Sequence, residues 1–152
     1  MKMTVIVDAS FCPKTRAGAW AVWINGDAGR VQKSGTFRKL AENATEAEWM
    51  AAANGLAIAQ QLGARDVLLQ TDNLHLVEGG NVRKAKLHGY AKMLGLTISV
   101  RHVKSHVTED DANAAEYCHN WCDRAAYREM VKQRKTLPEW TASLTRKMKD
   151  GL

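Results

Sequence analysis

The chain lacks any apolar run long enough to cross a bilayer as a helix. It also has no internal repeat and no low-complexity tract, and its acidic residues are outnumbered by basic ones. Helical membrane proteins, collagen-like chains and disordered tails are excluded together. Cysteine is scarce: Cys12, Cys118 and Cys122 are an odd number and too few to frame a disulfide scaffold, which suits a reducing compartment. The opening run Met1–Asp8 carries one basic residue and is too short for a signal peptide before the acid interrupts it, so a cytoplasmic protein is expected. What is present is an ordinary globular mixture, 45% hydrophobic and 25% charged over 152 residues, enough for one domain with its own core. Against 16 acidic residues stand 22 basic ones, a net +6 that favours a polyanionic partner, nucleic acid first, through neutralised phosphates and released counterions.

Residues 2–9 read as a buried strand with an acid at its end, and Thr4, Ile6 and Asp8 share one face. After a turn at Pro13 to Arg16, two more strands are expected at Ala17 to Ile24 and Arg30 to Phe37, joined by the hairpin turn Asn25-Gly26-Asp27. Ala44 to Leu62 is a strong helix former, capped by Asn43 or Thr45 and stopped by Gly63. Asp66 to Asp72 is a second buried strand ending in an acid, 74–94 is helical but broken at Gly79-Gly80, Leu96 to Val103 is a further strand, and Asn113 to Gln133 is a long helix. Residues 1–135 read as the domain. Residues 136–152 read as a basic tail in which Trp140, Leu144 and Met148 recur every four residues, the pattern of a short amphipathic helix. The order β-β-β-α-β-α-β-α predicts an α/β fold in which the strand after the first helix runs parallel to an earlier one. If that partner is the first strand, Asp8 and Asp72 stand side by side at the edge of the sheet where α/β proteins bind ligands.

Two carboxylates at neighbouring strand ends repel, and a half-buried pair needs a cation or a proton. Helical geometry selects a third acid. At about 100° per residue, Glu48 shares its side with Ala52, Gly55, Leu56, Ala59 and Leu62, the small apolar arc that packs on a sheet, whereas Glu46 lies among Asn54, Gln60 and Gln61. Glu48 therefore points inward, and Glu46 is a solvated first-turn acid compatible with the helix dipole. Asp123, on the last long helix, is the fourth candidate. Cys118, His119 and Cys122 are too tightly packed for a tetrahedral zinc site and have no second cysteine pair to complete one, so the two cysteines are expected to face the core.

These features together resemble ribonuclease H of type 1. The first strand ends Val5-Ile6-Val7-Asp8; the helix carries Ala47-Glu48-Trp49-Met50-Ala51-Ala52; the fourth strand closes Leu69-Gln70-Thr71-Asp72. The family's Lys-Gly-His loop is matched by Val103-Lys104-Ser105-His106, and its closing Cys-Asp helix by Cys122-Asp123-Arg124-Ala125. The match runs from about residue 3 to 130. It departs from the family at Ser105 in place of glycine, at His119 where an asparagine usually stands four residues before the last acid, and at Ala44-Thr45 in place of paired asparagines. The stretch between Asp72 and His106 is also shorter than in members that carry a basic helical handle.

The resemblance implies a five-stranded mixed sheet, three antiparallel strands then two parallel, flanked by helices. It implies an endonuclease that hydrolyses the RNA strand of RNA/DNA hybrids, with Asp8, Glu48, Asp72, Asp123 and His106 catalytic. The four acids would hold two Mg²⁺ ions, with Mn²⁺ as a substitute, because hard divalent cations prefer oxygen donors. His106 would shuttle protons, since imidazole titrates near neutrality. Ser10, Thr45, Asn73, Lys84, Lys86 and Lys104 are the candidates for substrate contact. A monomer is expected, with no membrane and no small-molecule cofactor. Two competing readings stay open: a DNA-directed nuclease of the same fold, resolvase-like, and a non-catalytic nucleic-acid-binding module.

Overall fold

Along the first strand Val5 and Val7 turn to one side and Ile6 to the other, and this alternation builds a core on each face of the sheet. The computed structural model describes residues 1–78 and 82–139. Its elements are β1 (Lys2–Phe11), β2 (Gly18–Gly26), β3 (Gly29–Thr36), α1 (Ala44–Gln61), β4 (Asp66–Thr71), α2 (Leu74–Val77), α3 (Val82–Met93), β5 (Thr97–His102) and α4 (Ala114–Arg134). The sheet order is β3-β2-β1-β4-β5. β1–β2 and β2–β3 pair antiparallel, and β1–β4 and β4–β5 pair parallel, so the five-stranded mixed α/β sheet is as expected.

On one face, Val5, Val7, Val22, Ile24 and Leu69 pack with Ala52, Leu56 and Ala59 of α1 and Leu87 of α3. On the other, Ile6, Ala21 and Trp23 pack with Cys118, Cys122, Ala125 and Ala126 of α4. Cys118 and Cys122 thus face the core as expected, with the Cys122 thiol donating to the Ile6 carbonyl at 3.5 Å. α1 comes unusually close to the sheet because residue 55 is glycine. A Cβ there would lie 2.7 Å from Val7 Cγ1 and 3.0 Å from Val5 Cγ1.

The boundaries differ in instructive ways. β1 does not end at Asp8; it runs three residues further because β2 pairs with it as far as Phe11 opposite Gly18. Its parallel partner β4 stops earlier, at Ile6 opposite Gln70, so Asp8 stands just beyond the last parallel pair. The segment 74–94 forms two helices, and the predicted break at Gly79-Gly80 lies outside the described residues. So does the expected tail helix at Trp140, Leu144 and Met148.

Candidate active site

The site forms where β4 ends. Thr71 Oγ1 accepts from the Asn73 backbone N–H at 3.1 Å, and Asn73 Oδ1 accepts from the His75 N–H at 2.9 Å as the cap of α2. These bonds turn the chain sharply, leaving Asp72 half-buried at the strand's end beside Asp8. Asp8 is only 3% exposed. Its carboxyl is raised from the ordinary 3.8 to about 6: burial is the largest cause, the His119 ring opposes it, and the charges of Asp72 and Asp123 add to it.

Glu48 comes from the opposite layer. Asn43 caps α1, its Oδ1 accepting the Glu46 N–H at 2.8 Å, which sets the helix phase so that Glu48 turns inward two turns ahead of Gly55. Its Oε2 is fully enclosed and accepts no hydrogen bond. Burial first, then the charges of Asp8 and Asp72, push this carboxyl well above the usual range; His119 opposes and Asp123 adds. Glu46 lies in a surface groove with Asn43, Trp49, Arg83 and Lys86.

α4 supplies the remaining groups. Asn113 and Glu116 form a reciprocal capping box at its start. One and two turns on, His119 and Asp123 project from a common face. The charge of Asp123 reaches both Asp8 and Glu48. Asp8 on β1 and Glu48 on α1 thus each feel the charges of Asp72, just past β4, and of Asp123 on α4.

The group that sequence reasoning left out is His119. It is 1% exposed, and its Nε2 lies 3.7 Å from Asp8 Oδ1 and 3.6 Å from Asp72 Oδ2, ion-pair separations beyond hydrogen-bond length. Neither ring nitrogen has a hydrogen-bond partner. Burial alone would hold its titration down, but the Asp72 and Asp8 carboxylates outweigh that and raise it to about 10. Donor atoms of Asp8, Asp72 and His119 all lie within 4.8 Å of one another. The signal was present in the spacing of His119 and Asp123, four residues apart on a helix that carries an acid of the set.

The residues fit a divalent cation. Several carboxylates are gathered at a half-enclosed point, Glu48 Oε2 is buried without a donor, and one imidazolium opposes several acids. Buried like charges of this kind are compensated by metal or by protons.

The other candidates sit on several different elements. His106 is exposed in the loop between β5 and α4 with a left-handed backbone (φ 58°), and Asn120 Nδ2 donates to the neighbouring Val107 carbonyl at 2.6 Å, tying that loop to α4. Ser10 on β1 and Thr45 on α1 are half-buried, and Lys104 is exposed. Lys84 Nζ donates to the Val77 carbonyl at 2.8 Å, and Lys86 Nζ sits 4.3 Å from the centre of the Trp49 ring.

A family model described as reverse transcriptase-like matches residues 6–113. That span takes in Asp8, Glu48, Asp72 and His106 and stops short of α4. No curated protein matches the chain. Among solved structures, the N-terminal RNase H domain of rv2228c from Mycobacterium tuberculosis, studied as a fusion with maltose-binding protein, is 15% identical. It covers 89% of this chain and 97% of that one, with a TM-score of 0.64. RNase H1 from the halophilic archaeon Halobacterium salinarum NRC-1 is 18% identical over 87% of this chain and 99% of that one, TM-score 0.64. LC11-RNase H1, isolated from compost and solved in complex with an RNA/DNA hybrid, is 11% identical over 86% and 98%, TM-score 0.63. At these identities the likeness is one of fold.

Proposed function

We propose that this chain, which belongs to the reverse transcriptase-like family and has the RNase H fold, is a metal-dependent endoribonuclease that hydrolyses the RNA strand of RNA/DNA hybrids. What supports the reading is the grouping of Asp8, Asp72 and His119 donor atoms within 4.8 Å of one another, with the charge of Asp123 acting on both Asp8 and the buried Glu48 carboxyl. One imidazole does not offset that many acids, and buried acids left without compensation cost stability.

Asp8, Glu48, Asp72 and Asp123 would hold Mg²⁺, or Mn²⁺ in its place, as two ions, with Glu48 and Asp72 serving the attacking water, Asp123 the leaving oxygen and Asp8 both. Ions so bound lower the pKa of water and stabilise charge on the leaving 3′-oxygen. The protein's own part is orientation and proton handling. β1 and β4 are fixed in register by the sheet, so the Asp8 and Asp72 carboxylates are held rigidly rather than recruited from mobile loops. His106, exposed on its loop, takes and returns protons at the edge of the site. Lys84, Lys86 and Lys104, with the hydroxyls of Ser10 and Thr45 and the Asn73 side chain, contact the substrate backbone. The net charge of +6 favours phosphate. In the wide minor groove of an A-like hybrid, the 2′-hydroxyl is the group by which RNA is told from DNA. The enzyme acts as a monomer in the cytoplasm.

The test is cleavage of labelled RNA/DNA hybrid, double-stranded RNA and double-stranded DNA in Mg²⁺, Mn²⁺ or EDTA. Metal-dependent cut of the hybrid alone is expected, falling at least about a hundredfold in Asp72→Asn. Cleavage of DNA alone would replace this reading with a resolvase-like nuclease. Binding without turnover would replace it with a non-catalytic module.

A further inference from the structure

We propose that His119 is itself a metal ligand through Nε2, and that this nitrogen turns the site's preference from magnesium toward first-row transition ions, for which manganese serves as the probe. The inference rests on the metal-dependent reading above and goes beyond an all-oxygen site.

Three observations carry it. The ring is almost fully buried, yet neither nitrogen is held by a hydrogen bond, and its nearest charges are the Asp8 and Asp72 carboxylates at ion-pair distance. Most buried imidazoles are satisfied by a carbonyl or a carboxylate at hydrogen-bond length. Second, Nε2 faces two carboxylates from different elements, Asp8 within β1 and Asp72 just past β4, at nearly equal distances, 3.7 and 3.6 Å. Donors each about 2.1 Å from one ion stand at most about 4.2 Å apart. Both separations are inside that limit, and both are too long for direct bonds. Third, Cys118 and Cys122 pack into the core with Ile6 and Trp23, which leaves the His119 ring as the nitrogen donor grouped with the Asp8 and Asp72 carboxylates.

Chemistry then sets the ion. Magnesium takes oxygen ligands and keeps its waters, whereas imidazole suits iron, nickel, copper and zinc, with manganese the weakest of the first-row divalent ions for such a site. Two carboxylates and one imidazole form a mixed nitrogen and oxygen set that rewards a transition ion over magnesium. On binding, the ion takes the place of the Nε2 proton, which leaves to solvent.

The test reads the metal rather than turnover. Full-length protein is loaded with Mn²⁺ and studied by pulsed electron paramagnetic resonance, with uniform ¹⁵N-histidine labelling as the control that needs no variant. A nitrogen coupling that changes with the label, persists in His106→Ala and vanishes in His119→Gln is expected. By calorimetry, His119→Gln should weaken Mn²⁺ binding at least about tenfold, with little loss for Mg²⁺. Bound manganese with no histidine coupling in the wild-type protein would overturn the ligand assignment and leave the acid site standing. A coupling lost in His106→Ala instead would overturn it too. If neither ion binds at all, the metal-dependent reading falls and the assignment falls with it.

Discussion

Gly55 of α1 lies directly against Val7 of β1, with room for a hydrogen and nothing more. A Cβ at that point would come 2.7 Å from Val7 Cγ1, a β-branched group that cannot swing aside in a buried strand. Two turns along the same face of α1 is Glu48, so the contact sets how far that carboxylate reaches toward Asp8.

Gly55→Ala therefore tests helix seating and the site together. Overpacking costs about 1–3 kcal/mol, and only about 1 kcal/mol is recovered by replacing a helical glycine. A lower thermal midpoint is expected, with a larger fractional loss of hybrid cleavage than a surface substitution of equal destabilisation produces. Thermal unfolding followed by circular dichroism, beside initial cleavage rates measured well below that midpoint, checks it. Unchanged stability and rate would mean that α1 slides freely on the sheet.

Glu48→Gln separates folding from metal binding. In the metal-free protein the Glu48 carboxyl is disfavoured by burial and by the charges of Asp8 and Asp72, and its Oε2 accepts no bond. An amide of the same shape removes the charge, so the metal-free variant should be at least as stable as the wild type at neutral pH. The rise in thermal midpoint on adding Mn²⁺ or Mg²⁺ should shrink sharply in it. A strongly destabilised metal-free variant would mean that the carboxylate is structural.

Stability without metal should fall as pH rises. Asp8 and Glu48 both bind their protons more tightly folded than unfolded, so their contribution declines once pH passes the ordinary carboxyl values, for Asp8 between 3.8 and about 6. His119, raised from 6.5 to about 10, contributes fully below 6.5 and loses that contribution as pH climbs through 10. All three terms have the same sign, because the folded state holds the extra protons. Urea midpoints in EDTA across this range should drop steadily, and His119→Gln should flatten the upper part of the profile. A midpoint that climbs with pH in EDTA would refute the assignment.

Much of this arrangement was legible in the sequence because it follows from periodicity. The period of two in Val5, Ile6, Val7 and Asp8 assigned faces, and the helical angle distinguished Glu48 from Glu46 before any coordinates were needed. Asn43 was one of two caps expected for α1, with Thr45, and it is the one that accepts the Glu46 N–H. What escaped notice depends on partners. The extension of β1 to Phe11 is set by how far β2 pairs with it, a property of another segment. His119 was obscured by its neighbours, since Cys118 and Cys122 invite a joint reading with it. The cysteines pack with Ile6 and Trp23, whereas the imidazole, about 100° from Cys118 but only about 60° from Cys122, reaches the acids. The closeness of His119 to Asp8 and Asp72 also depends on the α4 packing against β1, which no local pattern encodes.

Lys86 provides a test of substrate grip. Its ammonium lies over the Trp49 ring at 4.3 Å, on the groove that also includes Asn43, Glu46 and Arg83, and Trp49 follows Glu48 directly in the chain. The exposed cation thus rests on a ring of the helix that carries Glu48. Two roles are possible for it, and they leave different marks. As a packing group only, it contributes about 0.5–1 kcal/mol at an exposed ring, and Lys86→Gln would lower the thermal midpoint slightly while leaving hybrid affinity and its salt dependence intact. As a phosphate contact, it releases a counterion on binding, so the same substitution should weaken hybrid binding and reduce the slope of log affinity against log salt by just under one. We expect the second outcome. Fluorescence anisotropy of labelled hybrid, titrated with EDTA-treated protein over a series of potassium chloride concentrations, measures that slope without interference from cleavage.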